Sequence, residues 1–347
     1  MFFPKFHITS SILNNLSRID VLREKILTCP IHPKEEYKLK REAILSMVHN
    51  STAIEGNMLN EREVQKVLEG KKINANSRDI YEVQNYKKSL AFISLRKSSE
   101  ITERDILKIH KLTTANVLPK EKCGIYRKEP VYVVRRTPLT QEVLYIAPDH
   151  SKVPRLVRDL CEWINTSRKE KLSPVLIAGI AHAEMAAIHP FSDGNGRTAR
   201  LLATLILYTE KYDFRKLFAL ENYYNSERQK YYKAIHLGKN YAERSKGSMT
   251  PWLEYFVKGF LSEMEVVLDK IRPFLYFKKA PKERVILSKK EIQILDFLNE
   301  MGNITSSDVQ DILTVTKRTA QRFLKKLIEK KLVAKRGSKK NAMYVLV

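Results

Sequence analysis

The chain is organised around twelve residues, His189-Pro190-Phe191-Ser192-Asp193-Gly194-Asn195-Gly196-Arg197-Thr198-Ala199-Arg200. An apolar segment, Pro174–Ile188, precedes them and begins with a proline, which suits the first turn of a helix. A second apolar segment, residues 198–210, follows them and is rich in leucine. The pattern predicts a short polar loop that opens onto the N-terminus of a buried helix.

This loop has the composition of an anion-binding site. The first turn of a helix presents unpaired backbone N–H groups and the positive end of the helix dipole. Gly194 and Gly196 lack a Cβ, so a phosphate could approach the backbone closely. Arg197 and Arg200 lie three residues apart and would share a helix face. Two guanidinium groups on one face suit a polyphosphate better than a single carboxylate.

Two further residues of the loop could take part in chemistry. Asp193 offers a hard oxygen ligand for Mg²⁺, and His189 can take up a proton near neutral pH. Each has a simpler structural explanation, since a lone histidine is more often structural and an aspartate before a helix is usually an N-cap. The glycine run also imitates a dinucleotide-binding fingerprint, but that fingerprint follows a strand, whereas this run follows a predicted helix.

The whole stretch matches, at every specified position, the Fic family signature His-Pro-Phe-x-(Asp/Glu)-Gly-Asn-Gly-Arg-x-x-Arg. The chain therefore resembles a Fic-family protein adenylyltransferase. The resemblance implies a helical fold that moves AMP from ATP onto a Tyr, Thr or Ser hydroxyl of a target protein or of the enzyme itself. It implies that His189 is the base and that Asp193 holds Mg²⁺ or Mn²⁺. It further implies nucleotide-binding roles for Gly194, Asn195, Gly196, Arg197 and Arg200.

A second motif lies upstream, in Ser51-Thr52-Ala53-Ile54-Glu55-Gly56. Taken alone, Ser51 and Glu55 form an i,i+4 pair that could be a solvated helix surface. Beside the first motif, the stretch resembles the Fic family's inhibitory pattern, (Ser/Thr)-x-x-x-Glu-(Gly/Asn), in the class with an N-terminal inhibitory helix. The resemblance implies that Glu55 pairs with Arg200 and competes with the γ-phosphate of ATP for the same donors.

Composition limits the classes of partner. The 347 residues include 63 basic and 39 acidic side chains, a net charge of +24, which favours nucleotides, nucleic acid or acidic proteins as partners, although a lysine-rich proteome would give the same excess. Three widely spaced cysteines, Cys29, Cys123 and Cys161, indicate neither a disulfide framework nor a cysteine zinc site. We expect a reducing, cytoplasmic location, with no signal peptide and no membrane segment.

Two regions flanking the central motif carry further expectations. Two β-rich runs within residues 124–148 predict a hairpin, which is either a surface ornament or, as the resemblance implies, a flap that docks the target protein by strand addition. An aromatic-rich patch follows the central helix. By resemblance, we expect Tyr224 and Tyr231 to lie near the adenine base.

The C-terminal region reads as a separate compact unit after a linker at residues 278–282. Three predicted helices, at 289–299, 306–313 and 316–331, and a hairpin at 332–347 resemble a winged helix-turn-helix. Residues 317–340 contain eleven Lys or Arg and one acidic residue, Glu329. This charge favours DNA binding, with a basic protein-interaction wing as the alternative. The candidate DNA contacts are Lys317, Arg318, Gln321 and Arg322.

The sequence thus predicts a mainly α protein with a Fic-type helical domain, a β-hairpin flap and a C-terminal winged helix-turn-helix. We expect an N-terminal helical region at 1–98, a catalytic domain at 99–270 and the winged helix at 283–347. The predicted function is AMP transfer from ATP, inhibited by Glu55. Two alternatives stay open: a DNA-binding regulator with a nucleotide-sensing Fic domain, and a Fic enzyme with another transfer or de-AMPylation activity. A homodimer is one possible assembly.

Overall fold

The computed structural model describes residues 2–96, 98–136, 141–276, 285–337 and 342–347. The predicted linker at 278–282 lies outside these ranges, as do the tips of the two predicted hairpins, at 137–140 and 338–341.

The described chain is mainly helical, as predicted. Its α-helices are α1 (Ser10–Thr28), α2 (Pro33–Ile54), α3 (Glu61–Leu68), α4 (Ser77–Leu95), α5 (Glu103–Thr114), α6 (Val153–Lys169), α7 (Pro174–Ile188), α8 (Asn195–Thr209), α9 (Leu220–Ser226), α10 (Arg228–Ile235), α11 (Tyr241–Lys246), α12 (Thr250–Tyr276), α13 (Lys289–Met301), α14 (Ser306–Leu313) and α15 (Lys317–Glu329). No helix among the described residues combines the length and the apolar character needed to cross a lipid bilayer.

Two antiparallel hairpins account for the strands. One pairs β1 (Tyr132–Arg136) with β2 (Gln141–Ile146) and has an irregularity between Val133 and Val134. The other pairs β3 (Val333–Arg336) with β4 (Met343–Leu346). The first hairpin lies inside the predicted range of 124–148, but its strands occupy only 132–146.

The chain divides into two compact units. The first comprises Met1–Leu27 and Leu45–Leu268, and the second comprises Thr28–Ile44 and Asp269–Val347.

The core of the first unit is built on α7 and α8, which pack against each other. Helix α7 is apolar on nearly all sides and is almost entirely buried, as expected for a helix without a polar face. Trp252 of α12 packs against it and donates its indole N–H to the carbonyl of Gly179 at 2.7 Å. The loop that joins α7 to α8 is therefore anchored at both ends in this core.

Most predicted helix boundaries are confirmed to within a few residues, and α7 and α14 coincide with the prediction. Helix α8 differs at its functional end. It begins at Asn195 and not at residue 198, so Gly196, Arg197 and Arg200 are all helical. The prediction was late because glycine and asparagine read as loop residues, whereas here they form the first turn of the helix.

The second unit has its own apolar core, to which α13, α14, α15 and the β3–β4 hairpin contribute. Each of the three helices begins at a hydroxyl N-cap, and Ser288 and Thr305 form complete capping boxes. Ile304 forms an antiparallel bridge with Tyr344, which attaches the hairpin to the segment before α14.

Candidate active site

The loop between α7 and α8 depends on two residues with left-handed backbone conformation. His189 caps the C-terminus of α7 with φ 49°, and Gly194 caps the N-terminus of α8 with φ 77°. A Cβ on Gly194 would lie 2.8 Å from the Cγ2 atom of Thr114. Both the backbone angle and the close approach therefore require glycine here.

Asn195 closes the loop on itself. Its side-chain amide donates to the carbonyl of Phe191 at 2.8 Å, and its Oδ1 accepts the N–H of Phe191 at 2.9 Å. The side chain is buried. The side chain of Asn195 therefore shapes the loop, and a phosphate contact at this position would come from its backbone N–H, which stays a prediction.

A buried histidine, His110, holds the backbone carbonyl of Asp193 in place. The backbone N–H of Gly124 donates to His110 Nδ1 at 2.8 Å, so the proton of this imidazole must lie on Nε2, which donates to the carbonyl of Asp193 at 3.0 Å. Burial lowers the pKa of His110 to about 4, so the ring is neutral at physiological pH. Its ring stacks on Phe191 with the centroids 3.6 Å apart.

His189 has the hydrogen-bonding pattern of a general base. Its Nδ1 lies 3.2 Å from the carbonyl of Ala186. A carbonyl can only accept, so Nδ1 carries the proton and Nε2 is left with a lone pair. Burial lowers the pKa of His189, while the hydrogen bond to Ala186 opposes this shift. The imidazole is therefore neutral, and able to accept a proton, at physiological pH.

Arg127 connects this loop to the base of the β1–β2 hairpin. Its Nε donates to the carbonyl of His189 at 2.9 Å, and its backbone N–H donates to the carbonyl of Pro190 at 3.0 Å. The remaining guanidinium nitrogens donate to the carbonyls of Glu129 and Pro148. The sequence does not predict this role, because Arg127 reaches the loop through backbone carbonyls that lie 62 or more residues away in the chain.

Arg200 is held by the upstream motif. Its Nε donates to Ser51 Oγ at 2.8 Å, and its Nη2 donates to the carbonyl of Ser51 at 3.0 Å and to Glu55 Oε1 at 2.8 Å. Burial would lower the pKa of Arg200, but the carboxylate of Glu55 raises it, so the guanidinium stays charged. Gly56, with φ 94°, turns the chain away after Glu55.

Arg197 points to a different carboxylate. It is 1% exposed, and its Nη1 lies 2.9 Å from Glu82 Oε1. Its Nη2 lies 3.7 Å from Asp193 Oδ1. The second oxygen of Asp193 accepts from Arg78 Nη2 at 3.0 Å. The two arginines of the motif thus have different partners, although they share one helix face.

The two tyrosines expected near adenine are buried. Tyr224 and Tyr231 stack with their centroids 4.6 Å apart, and the hydroxyl of Tyr231 lies 3.0 Å from His182 Nε2. Both rings are enclosed by protein. Their position beside the adenine base stays a prediction. Adjacent helical residues point in different directions. Tyr232 is therefore partly exposed, and its hydroxyl donates to the carbonyl of Ile54 at 3.1 Å.

The site can supply one carboxylate ligand for a metal ion. Among the described residues, no group of three or more His, Cys, Asp or Glu side chains could hold a metal ion. Asp193 is partly exposed, and its Oδ2 faces the solvent side together with Arg78. One carboxylate combined with phosphate oxygens and water is a normal ligand set for Mg²⁺, so the residues fit an ion that arrives with a nucleotide.

The comparison with known families agrees with this geometry. Residues 100–207 match the model of the Fic/DOC family. Residues 100–207 are thus similar to a Fic domain. Its range includes His110, Arg127 and the loop from His189 to Arg200, whereas Ser51 and Glu55 lie upstream of it.

Curated relatives carry the same type of name. The chain is 29% identical over 273 residues to the protein named protein adenylyltransferase fic-1 from Caenorhabditis elegans, covering 74% of this chain and 49% of that protein. It is 30% identical over 201 residues to protein adenylyltransferase Fic from Nematostella vectensis, covering 55% and 44%. The chain spans about half the length of these relatives.

Solved structures show a similar fold. A Fic family protein from Desulfovibrio desulfuricans matches 100% of this chain and 98% of its own, with a TM-score of 0.66 and 23% identity. A fragment of Fic-1 from Caenorhabditis elegans matches 75% of this chain and 73% of its own, with a TM-score of 0.59 and 26% identity.

The candidate DNA-binding residues lie in the second unit. Lys317, Arg318, Gln321 and Arg322 are all exposed at the start of α15. Arg318 and Arg322 lie on the side of the helix opposite to its buried residues, Ala320, Leu324 and Leu327.

Proposed function

We propose that the Fic domain transfers AMP from ATP to a Tyr, Thr or Ser hydroxyl of a target protein and of itself. One observation carries the proposal: a neutral histidine with an unprotonated Nε2 leads a loop that ends at the N-terminus of a buried helix. The names of the curated relatives support the same reaction. We assign catalysis to the Fic domain and inhibition to the motif at Ser51–Gly56.

In the proposed reaction, His189 Nε2 takes the proton of the acceptor hydroxyl as its oxygen attacks the α-phosphorus of ATP. A bond forms between that oxygen and the α-phosphorus, and the bond from the α-phosphorus to the bridging oxygen of the β-phosphate breaks. Pyrophosphate leaves, and AMP remains on the protein. The neutral state of His189 supports this role because a base must accept a proton in the transition state.

The start of α8 would bind the phosphates. The space beside Gly196 in the first turn is taken by the carboxylate of Glu55, and it would become available to a phosphate once Glu55 has left. Arg200 would hold the γ-phosphate once Glu55 has left, because both anions need the same guanidinium donors. Asp193 would hold Mg²⁺ or Mn²⁺, and the bound ion would neutralise phosphate charge.

The β1–β2 hairpin is the proposed docking site for the target. Its sheet has two strands, so among the described residues the outer edge of β1 pairs with no other strand. Such an edge can accept an extended peptide through backbone hydrogen bonds. Arg127 connects the start of the hairpin to the backbone of His189. A hydroxyl docked on the hairpin would therefore lie close to the imidazole that accepts its proton.

Incubation with ATP labelled in the adenine ring tests the proposal directly. We expect covalent label on the Glu55→Gly protein and on lysate proteins, and none with Glu55→Gly combined with His189→Ala. The loss of a positioned base typically costs a factor of about 10² to 10⁴. Label from UTP, transfer of the γ-phosphate or of phosphocholine, or removal of AMP from a modified protein would support the alternative activities instead.

A second function, DNA binding, is proposed for the second unit, which we interpret as a winged helix-turn-helix. The exposed group Lys317, Arg318, Gln321 and Arg322 supports it because these side chains suit phosphate and base contacts. In this reading the Fic domain of a DNA-binding regulator would sense nucleotides. The absence of any covalent labelling together with ATP-dependent DNA binding would favour it over the enzyme.

A further inference from the structure

Glu82 on α4 lies where the inhibitory motif and the central loop meet, although neither motif contains it. The side chain is 4% exposed. Its two carboxylate oxygens face different partners, and each partner belongs to a different functional part of the site.

The first oxygen faces the arginines. Glu82 Oε1 lies 2.9 Å from Arg197 Nη1 and accepts from Arg78 Nε at 3.3 Å. Arg78 also donates from its Nη2 to the carboxylate of Asp193, the candidate metal ligand. A buried arginine takes its position from the carboxylate that neutralises it, so Glu82 determines where the guanidinium of Arg197 points.

The second oxygen faces the inhibitory turn. Glu82 Oε2 accepts from Asn57 Nδ2 at 3.0 Å. The orientation of this amide is fixed from the other side, because Asn57 Oδ1 accepts the N–H of Leu59 and Nδ2 also donates to the carbonyl of Asp79. Asn57 is buried and lies only two residues after Glu55.

We propose that Glu82 is a positioning residue that couples the inhibitory turn to Arg197. The inference rests on the proposed function and deepens it. While Glu55 binds Arg200, Asn57 is held against Glu82, and Glu82 holds Arg197 away from the phosphate site. When the turn leaves, Asn57 leaves with it, and the carboxylate loses one of its partners. Inhibition thus acts on both arginines of the motif, on Arg200 through Glu55 and on Arg197 through Asn57 and Glu82.

A polarity exchange between Asn57 and Glu82 tests this coupling. Asn57→Asp places a second carboxylate against Glu82 Oε2, and Glu82→Gln places an amide donor against the amide of Asn57. Each single change therefore creates a repulsive contact at a buried site. The double variant restores the hydrogen bond with the opposite polarity, because the new amide at position 82 can donate to the new carboxylate at position 57.

The readout is an inhibition factor, which is the AMP-transfer rate with Gly at position 55 divided by the rate with Glu at position 55. Each variant is measured in both backgrounds, so any direct effect on ATP binding cancels in the ratio. We expect each single change to lower the factor by about tenfold, the effect of one charge-assisted hydrogen bond, and the double change to recover most of it. Asn60→Asp makes the same chemical change at the N-cap of α3, where Asn and Asp are equally favoured. It serves as the matched control and should leave the factor unchanged.

Three results would overturn the coupling: a factor that stays constant in both single variants, a double variant worse than either single one, or a larger effect of Asn57→Ala than of Asn57→Asp. The last comparison needs no change at Glu82, so it remains decisive if Glu82→Gln unfolds the protein. An inactive Glu55→Gly protein would instead contradict the proposed function. The affinity of the same variants for a fluorescent ATP analogue would then measure the coupling without any transfer reaction.

Discussion

Glu55 Oε1 lies 2.8 Å from the Nη2 atom of Arg200, which follows 145 residues later in the chain. Ser51 occupies two further donor positions of the same guanidinium through its hydroxyl and its carbonyl. Three of the N–H donors of Arg200 are therefore used by one turn of the upstream motif. A nucleotide phosphate could use these three donors only if that turn releases them.

Glu55→Gly should therefore increase AMP transfer. A charge-assisted hydrogen-bonded pair contributes about 1.5–3 kcal/mol, so its loss could raise the competent population by roughly ten- to a hundredfold. The measurement is self-labelling at limiting ATP, with a change of the exposed Glu61 at the start of α3, Glu61→Gly, as the control. Combining Glu55→Gly with Arg200→Ala should abolish the gain. Equal labelling of the wild type and of Glu55→Gly would rule out inhibition by Glu55.

Gly196→Ala should displace the carboxylate of Glu55 by steric clash. A Cβ at this position would lie 2.3 Å from Glu55 Oε1, too close for both groups to stay in place. Because Gly196 is helical, the added methyl group should also stabilise α8 by about 0.5–1 kcal/mol once Glu55 is absent. We therefore expect Gly196→Ala to raise the melting temperature in the Glu55→Gly background more than in the wild type. The same stabilisation in both backgrounds would contradict the close approach of Glu55 and Gly196.

The sequence predicts the two motifs, because each consists of characteristic residues within a stretch of six or twelve positions. The helix pattern on either side also predicts where the loop lies. His110, Arg127 and Glu82 were missed for a common reason. Each acts on a partner between 62 and 115 residues away, mostly on a backbone carbonyl, and no local pattern records such a contact.

The side-chain directions of Asn195 and Tyr231 could not be predicted from the sequence for a different reason. A motif places a residue near a ligand but does not give the direction of its side chain. Asn195 turns inward to bond Phe191, and Tyr231 points into the core while Tyr232 points outward. Direction depends on helix phase and on packing, which only the folded chain determines.

The pH dependence of AMP transfer should show an acid limit below the ordinary pKa of histidine. Burial lowers the pKa of His189 from its usual value of 6.5, and in the proposed reaction the neutral form is the base. A lowered pKa keeps this form populated in more acidic solution, so the rate falls only when the pH drops below the shifted value. Initial rates of Glu55→Gly between about pH 5 and pH 9 would show this limit. ATP binding is measured in parallel, and an acid midpoint above about pH 6.5 that binding does not share would contradict the assignment.

DNA binding by the second unit should depend on Arg318 and Arg322, which are exposed and lie one turn apart on α15. Each phosphate contact contributes about 0.9 to the slope of log affinity against log salt concentration, so changing both arginines to Ala should reduce that slope by roughly two. Filter retention of duplex DNA at several salt concentrations measures it. Arg62→Ala with Lys66→Ala removes the same charge at the same spacing from the exposed face of α3 and should leave the slope unchanged. Equal losses in both double variants would mean that DNA responds only to the net charge of the protein. The absence of any salt-sensitive retention by the wild type would instead make the basic face of α15 a protein-interaction surface.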